Sequence, residues 1–158
     1  MNALQLRDNA KQQLAEIKTI ESGVEYLNKV KAIEVWAKAE KKDAELQNIV
    51  AEQKLRTQRI LGGLLKEANL NKGGNPNLST DTTGLKVSEL GITRDESSAF
   101  QRISNLPQEL FEEQIRLVLE ENNNQTELTT SKMLHAAKQY ELDKIRNAES
   151  EKLQKHQK

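Results

Sequence analysis

The sequence predicts an all-α protein in which a long N-terminal helical region is followed by a compact helix-turn-helix bundle. Apolar residues recur at helical spacing over most of the chain. Glycine and proline are scarce, with 7 and 2 among 158 residues, as expected for long helices joined by few turns. Aromatic residues make up only 3% of the chain, so the core has to be built from Leu, Ile, Val and Ala in stripes along helices.

Residues 1–71 are predicted to be helical throughout. Ser22 and Glu25 fit a capping box, in which a hydroxyl at the helix start and a side chain three residues later satisfy free backbone N–H groups. In the helix that follows, Trp36 is expected to be the main aromatic residue of the packing between the N-terminal helices. Asp43 is the predicted cap of a third helix.

Two adjacent glycines, Gly62 and Gly63, lie inside this third helix. Each costs a helix roughly 1 kcal/mol relative to alanine, which indicates that another helix approaches closely at this point. Stripes of Leu, Ile and Val on helices this long are hard to cover within one copy of a chain that has few aromatic residues. We therefore expect residues 1–71 to act as an oligomerisation region, through which the protein self-associates.

A run of turn-forming residues at 72–84 is the predicted linker between two domains. It precedes a helix-turn-helix-like domain at 85–149, and residues 150–158 are expected to form a flexible tail. The second domain is predicted to hold four helices. The first is short and ends at Gly91, the second is capped by Thr93, the third begins near Pro107, and the last is capped by Thr129 or Thr130.

The most informative segment runs from Leu90 to Phe100 and fits the helix-turn-helix pattern. Gly91 allows the positive φ that a sharp turn requires, Ile92 anchors the turn in the core, and Thr93 caps the second helix. The exposed side of that helix is the candidate surface for phosphates or base edges. Its predicted DNA-binding residues are Thr93, Arg94, Ser98, Gln101 and Arg102. A generic helical corner is the alternative interpretation.

The run from Leu90 to Lys138 resembles the DNA-binding module of the ParB/KorB-type partition proteins, which implies that the second helix reads DNA. The matching features are a Gly-x-Thr turn, a Leu-Pro pair, an amphipathic helix and a Leu-Thr pair (Gly91–Thr93, Leu106–Pro107, Phe111–Leu119 and Leu128–Thr129). The chain departs from this pattern at Ser97, where a small apolar residue is usual. It also lacks the nucleotide-binding motif of the partition proteins.

The layout is also similar to that of small proteins of phages and integrated elements, in which a helical region with an Arg-Leu-Arg-like stretch and a Gly-rich loop precede the turn. The corresponding segments are Leu55–Gly62 and Lys72–Gly74. This second resemblance implies a setting, a phage or a mobile element, rather than an activity.

No catalytic or metal site can be assembled from the residue types present. Cysteine is absent and there are only two histidines, His135 and His156. His135 is interpreted as a partly packed residue, and Glu112 and Glu113 as solvated surface, because adjacent residues do not face each other on a helix. We therefore predict no enzyme activity, no cofactor and no metal. With no signal peptide and no membrane span in the sequence, we expect a cytoplasmic protein that does not bind membranes.

The charge is zero overall but is unevenly distributed. Residues 1–72 carry 13 Lys/Arg and 10 Asp/Glu, residues 73–128 carry 4 and 10, and residues 129–158 carry 7 and 4. The acidic middle, together with Asp95 and Glu96 at the start of the second helix, opposes attraction to phosphate. The first hypothesis is a small DNA-binding accessory or regulatory protein of a phage or mobile element. The alternative is a helical protein-interaction module, an adaptor or inhibitor, that uses its acidic C-terminal half.

Overall fold

The computed structural model describes residues 3–68, 87–121 and 129–157, and these ranges contain helices and no strand. The fold is therefore all-α, as predicted. Its helices are α1 (Ala3–Glu16), α2 (Ile20–Ala39), α3 (Ala44–Glu67), a short 3₁₀ helix (Val87–Leu90), α4 (Arg94–Asn105), α5 (Gln108–Glu121) and α6 (Thr130–His156). The predicted linker at 72–84 lies outside the described residues. Across these ranges no helix combines the length and apolar character needed to cross a bilayer.

Helix starts follow the short-range capping rules, with one prediction wrong. Asp43 caps α3, with its carboxylate accepting from the backbone N–H of Leu46 at 2.8 Å, and Thr129 caps α6. The predicted cap Ser22 is the third residue of α2, because the cap is Thr19, whose backbone is extended (φ −125°, ψ 158°). The two hydroxyls form the capping box reciprocally.

Helix α3 is the centre of the packing. Its residue Leu55 belongs to one buried apolar cluster and Leu61 to another, so a single helix supplies both. The first cluster contains Ala51, Leu55, Ile103, Leu106, Phe111, Ile115, Met133 and Ala137, and the second contains Leu27, Leu61, Leu65, Ile92 and Phe100. Residues before and after the predicted boundary therefore contribute to both clusters. Leu55, Leu61 and Leu65 of α3 are covered within one copy, whereas Ile33, Val35 and Trp36 of α2 are exposed, and self-association through residues 1–71 stays a prediction.

The close helix approach predicted from the glycine pair occurs at Gly62. A Cβ atom placed there would overlap the backbone carbonyl of Phe100 and would lie 2.9 Å from the backbone nitrogen of Gln101. Gly63 has no atom within 4 Å of the corresponding position. Only Gly62 is needed for α3 and α4 to approach this closely.

Two further expectations are wrong. The tail predicted to fray from Ser150 is part of α6, which continues to His156. Trp36 is 51% exposed and lies next to the ammonium group of Lys42, 4.9 Å from the centre of its ring system. It is therefore not the aromatic residue of the packing. The buried aromatic residues are Phe100 of α4 and Phe111 of α5, which are 2% and 0% exposed and belong to the clusters that α3 shares.

Candidate nucleic-acid interface

The turn before α4 has the geometry that the sequence predicts. Gly91 adopts φ +77°, in the left-handed region that favours glycine, and its N–H donates to the carbonyl of Ser88 at 3.3 Å. Ile92 is buried in the second cluster, beside Phe100. The element before the turn is a 3₁₀ helix of four residues. The corner is thus fixed by a left-handed glycine and one buried isoleucine.

Thr93 starts α4 through a complete capping box. Its hydroxyl accepts from the backbone N–H of Glu96 at 3.1 Å, and its own N–H donates to the Glu96 carboxylate at 3.0 Å. The carboxylate also pairs with Lys31 of α2 at 3.2 Å. The hydrogen bond from the Thr93 backbone, and then the Lys31 ammonium group, hold the pKa of Glu96 below its ordinary value. Glu96 is therefore engaged inside the protein.

Helix α4 has one buried and one exposed face. Ser97, Phe100 and Ile103 are buried, whereas Arg94, Ser98 and Arg102 are exposed at a spacing of four residues. Residues at this spacing lie above one another on a helix. Three of the five predicted DNA-binding residues therefore form a single open stripe.

The other two predicted residues are used locally. Thr93 is the helix cap, and Gln101 is half-buried with its side-chain amide donating to the hydroxyl of Ser97 at 3.0 Å. This bond explains how a serine is accommodated at the buried position, since its oxygen has a partner. Thr93 and Gln101 therefore support α4 and are not part of the exposed stripe.

A groove of about 320 Å³ separates α4 from the first two turns of α6. On the α4 side its walls include Asp95, Ser98 and Arg102, and on the α6 side they include His135 and Lys138. His135 is exposed, so its interpretation as a partly packed residue is wrong. Sequence reasoning missed Lys138 and His135 as members of this surface, although Ser131, His135 and Lys138 share one helix face and lie in the basic C-terminal stretch.

Two arginines of α3 hold the end of α4 and the start of α5. The guanidinium group of Arg59 donates to the backbone carbonyls of Ile103 and Leu106 at 2.8 and 2.6 Å. Arg56 forms a bidentate ion pair with Glu112, with N–O distances of 2.6 and 2.8 Å, and these hydrogen bonds lower the pKa of Glu112. Glu112, interpreted from the sequence as solvated surface, is 42% exposed at its side chain but is also ion-paired with Arg56. Both arginines belong to the scaffold.

This pairing changes the electrostatics inferred from the sequence. Of the carboxylates that make residues 73–128 acidic, Glu96 is paired with Lys31 and Glu112 with Arg56, both from N-terminal helices. On the exposed side of α4, Arg94 and Arg102 are cationic and Asp95 is anionic, and Lys138 adds a third cation across the groove. The groove between α4 and α6 is therefore lined by two cations, Arg102 and Lys138, and one carboxylate, Asp95, although residues 73–128 are acidic as a whole.

Comparison with family models, with curated proteins and with solved structures finds no match to this chain. Among the described residues, no three His, Asp or Glu side chains come together as a metal-binding group. The α4–α6 surface is therefore the candidate functional site on the grounds of its geometry and charge.

Proposed function

We propose that this protein is a small non-enzymatic DNA-binding protein of an accessory or regulatory kind, and that α4 is the helix that contacts DNA. The observation that carries the proposal is the open stripe of Arg94, Ser98 and Arg102, which follows a left-handed glycine turn and a capped helix start. The resemblance to partition-protein modules and to small phage proteins supports the same function and a phage or mobile-element setting.

The dimensions of α4 suit a major groove. The helix has 12 residues, which gives a length of roughly 18 Å, and a helix fits the roughly 12 Å width of the groove. Arg94 is in its first turn and Arg102 two turns later, about 12 Å along the axis. The two guanidinium groups therefore contact different nucleotides. In helix-turn-helix proteins the first residues of the helix reach the bases, which makes Arg94 the candidate for base contact and Arg102 for phosphate.

Lys138 extends the contact surface beyond the helix itself. It lies across the groove from Arg102, on the rigid first half of α6, where Met133 and Ala137 are buried in the core. A lysine held on a packed helix beside the recognition helix is suited to a phosphate contact, which positions the protein without reading sequence. Asp95 is the one exposed carboxylate on this wall of the groove and opposes binding.

The test is a fluorescence-anisotropy titration of labelled duplex DNA over a series of salt concentrations. For Arg102→Ala and Lys138→Ala we expect weaker binding, and a salt slope that falls by about one unit for each lost phosphate contact. Arg94→Ala is expected to cost roughly 1–3 kcal/mol if it contacts a base, and Asp95→Asn to raise affinity. Lys29→Ala is the control, because it removes one positive charge from an exposed site on α2.

Absence of binding by the wild-type protein at low salt contradicts the proposal, because the electrostatic contribution is largest there. Equal effects of Lys29→Ala and Arg102→Ala would place any DNA contact elsewhere on the molecule.

The alternative function is a protein-interaction module. The observation that favours it is the groove itself, which is lined by Ala99 and Leu134 as well as by charged groups. If a protein partner occupies it, Asp95→Asn weakens capture of that partner, and Arg94→Ala and Arg102→Ala leave DNA affinity unchanged.

A further inference from the structure

Helix α6 extends well beyond the core. Met133, Ala137 and Tyr140 pack on the bundle, whereas every residue from 142 to 157 is exposed. The exposed part of the helix, 142–156, has a length of roughly 22 Å. Isolated helices of about 12–15 residues are marginal in water, so packing against a partner would stabilise this segment.

Three large apolar side chains lie on one side of the exposed segment. Leu142, Ile145 and Leu153 are 45%, 57% and 65% exposed. Steps of three and four residues from Leu142 lead through Ile145 and Glu149 to Leu153, so all four share one stripe. Glu149 is the charge within this stripe, and a partner surface that covers the apolar groups has to provide a cation opposite it.

We propose that residues 141–156 pair in antiparallel orientation with the same segment of a second copy of this chain. The two copies are related by a two-fold axis that passes between Asn147 and Ala148. In this register Leu142 lies level with Leu153 of the second copy. Arg146, which is on the flank of the stripe and 3.8 Å from the carboxylate of Asp143 in its own helix, lies level with Glu149 of the second copy. The guanidinium group would then lie between the two carboxylates. By symmetry each contact occurs twice.

The charges on the other flank agree with this arrangement. Lys152 and Glu141 lie on the same side of the stripe. In the antiparallel register Lys152 of one copy lies opposite residue 143 of the other, two residues from Glu141, so these opposite charges lie near each other. A parallel pair would instead place Glu149 against Glu149. The segment is thus complementary to itself in the antiparallel direction.

The pairing uses residues of α6 that follow Lys138 and that do not line the groove beside α4. Its failure would leave the proposed function untouched. If both hold, the dimer presents two α4 helices related by two-fold symmetry, which is the arrangement that reads palindromic half-sites.

Sedimentation equilibrium of the full chain, over tens to hundreds of micromolar, tests the association. We expect a monomer–dimer equilibrium that Ile145→Lys with Leu153→Lys abolishes, while circular dichroism melting of the core is unchanged. Trp36→Lys is the matched control, since Trp36 is the exposed aromatic residue of α2, and it should leave the dimer intact. A wild-type protein that stays monomeric, or a dimer lost only with Trp36→Lys, overturns the proposal.

The direction of pairing is tested by charge exchange. Arg146→Glu and Glu149→Arg should each weaken dimerisation by roughly threefold to thirtyfold, as expected for two exposed ion pairs, and the double exchange should restore it. Restoration supports the antiparallel register, and a double variant as weak as the single ones overturns it.

Disulfide capture gives a second measurement, because the chain has no cysteine. When Leu142→Cys and Leu153→Cys variants are mixed and oxidised, an antiparallel pair yields the mixed disulfide. Predominance of the two homodimeric disulfides overturns the antiparallel arrangement. Gln154→Cys, on the opposite side of the helix from the stripe, is the control and should remain uncaptured.

Discussion

Replacement of Gly62 by alanine tests the packing that positions α4. The added Cβ would overlap the Phe100 carbonyl and would lie 2.9 Å from the Gln101 nitrogen, against the 3.4 Å at which ordinary contact begins. Both atoms belong to the α4 backbone, so neither can move away by a change of rotamer. The helices therefore have to separate by more than about half an ångström along their contact, and overpacking of this kind costs typically 1–3 kcal/mol.

The neighbouring glycine provides a control of the same chemistry. At Gly63 a Cβ meets nothing within 4 Å, so only the gain in helix propensity remains, about 0.8–1 kcal/mol in favour of alanine. The same gain offsets part of the cost at position 62. Because the overlap is with backbone atoms, the cost is expected at the upper end of its range, so Gly62→Ala should lower the free energy of unfolding by about 2 kcal/mol. Gly63→Ala should raise it by up to about 1 kcal/mol.

Urea denaturation followed by circular dichroism measures both values, and anisotropy measures DNA affinity in parallel. Gly62 sets the distance between α3 and α4, and therefore the position of the α4 surface. The Gly62→Ala variant should thus also bind DNA more weakly, whereas the Gly63→Ala variant should bind as the wild type does. Two alanine variants of equal stability would refute the close α3–α4 contact. A destabilised Gly62 variant with unchanged affinity would show that the position of α4 is irrelevant to binding.

The remaining predictions concern the supports of α4. Thr93→Ala removes the capping hydroxyl and should cost about 1 kcal/mol of unfolding free energy, with Ser98→Ala as the exposed control. Arg59→Met leaves two carbonyls at the end of α4 without their donor, so denaturation should show a loss of about 1–3 kcal/mol in the free energy of unfolding. A change within about 0.5 kcal/mol, as at ordinary surface sites, would contradict this contact. The pKa of Glu112 is lowered by the hydrogen bonds from Arg56, so the unfolded chain binds more protons. The stabilisation that the Arg56–Glu112 pair gives the folded protein is complete above the ordinary pKa of 4.5. It is lost as the pH falls through the lower pKa of Glu112 in the folded state. Glu112→Gln should therefore flatten the acid limb of a stability–pH profile.

Features governed by short-range contacts could be predicted from the sequence. The caps Asp43, Thr93 and Thr129 and the left-handed turn at Gly91 each depend on hydrogen bonds or torsion angles within four residues. Where two nearby residues can fill the same role, the prediction fails. Thr19 and Ser22 both carry a capping hydroxyl, and only the extended backbone at Thr19 decides between them.

Features that depend on which helix faces which could not be predicted. The periodicity of α2 places Trp36 with apolar residues, but the covering helices lie on its other side, so this ring is half exposed. Arg56 and Arg59 are basic residues of α3 whose hydrogen-bond partners lie in α4 and α5, and they hold the α4–α5 corner. In the sequence alone an arginine that binds DNA and one that binds a carbonyl look the same.

The sequence by itself determined that the chain is helical, that α4 starts at a capped turn, and that Arg94, Ser98 and Arg102 lie on its outer face, where it also placed Gln101. Only the tertiary structure decided the charge of that face. Lys31 neutralises Glu96 from 65 positions away, Arg56 pairs with Glu112 across 56, and α6 brings Lys138 to the groove. Helical periodicity determines on which side of its helix a residue lies. Contacts between distant segments depend instead on how the helices pack against one another.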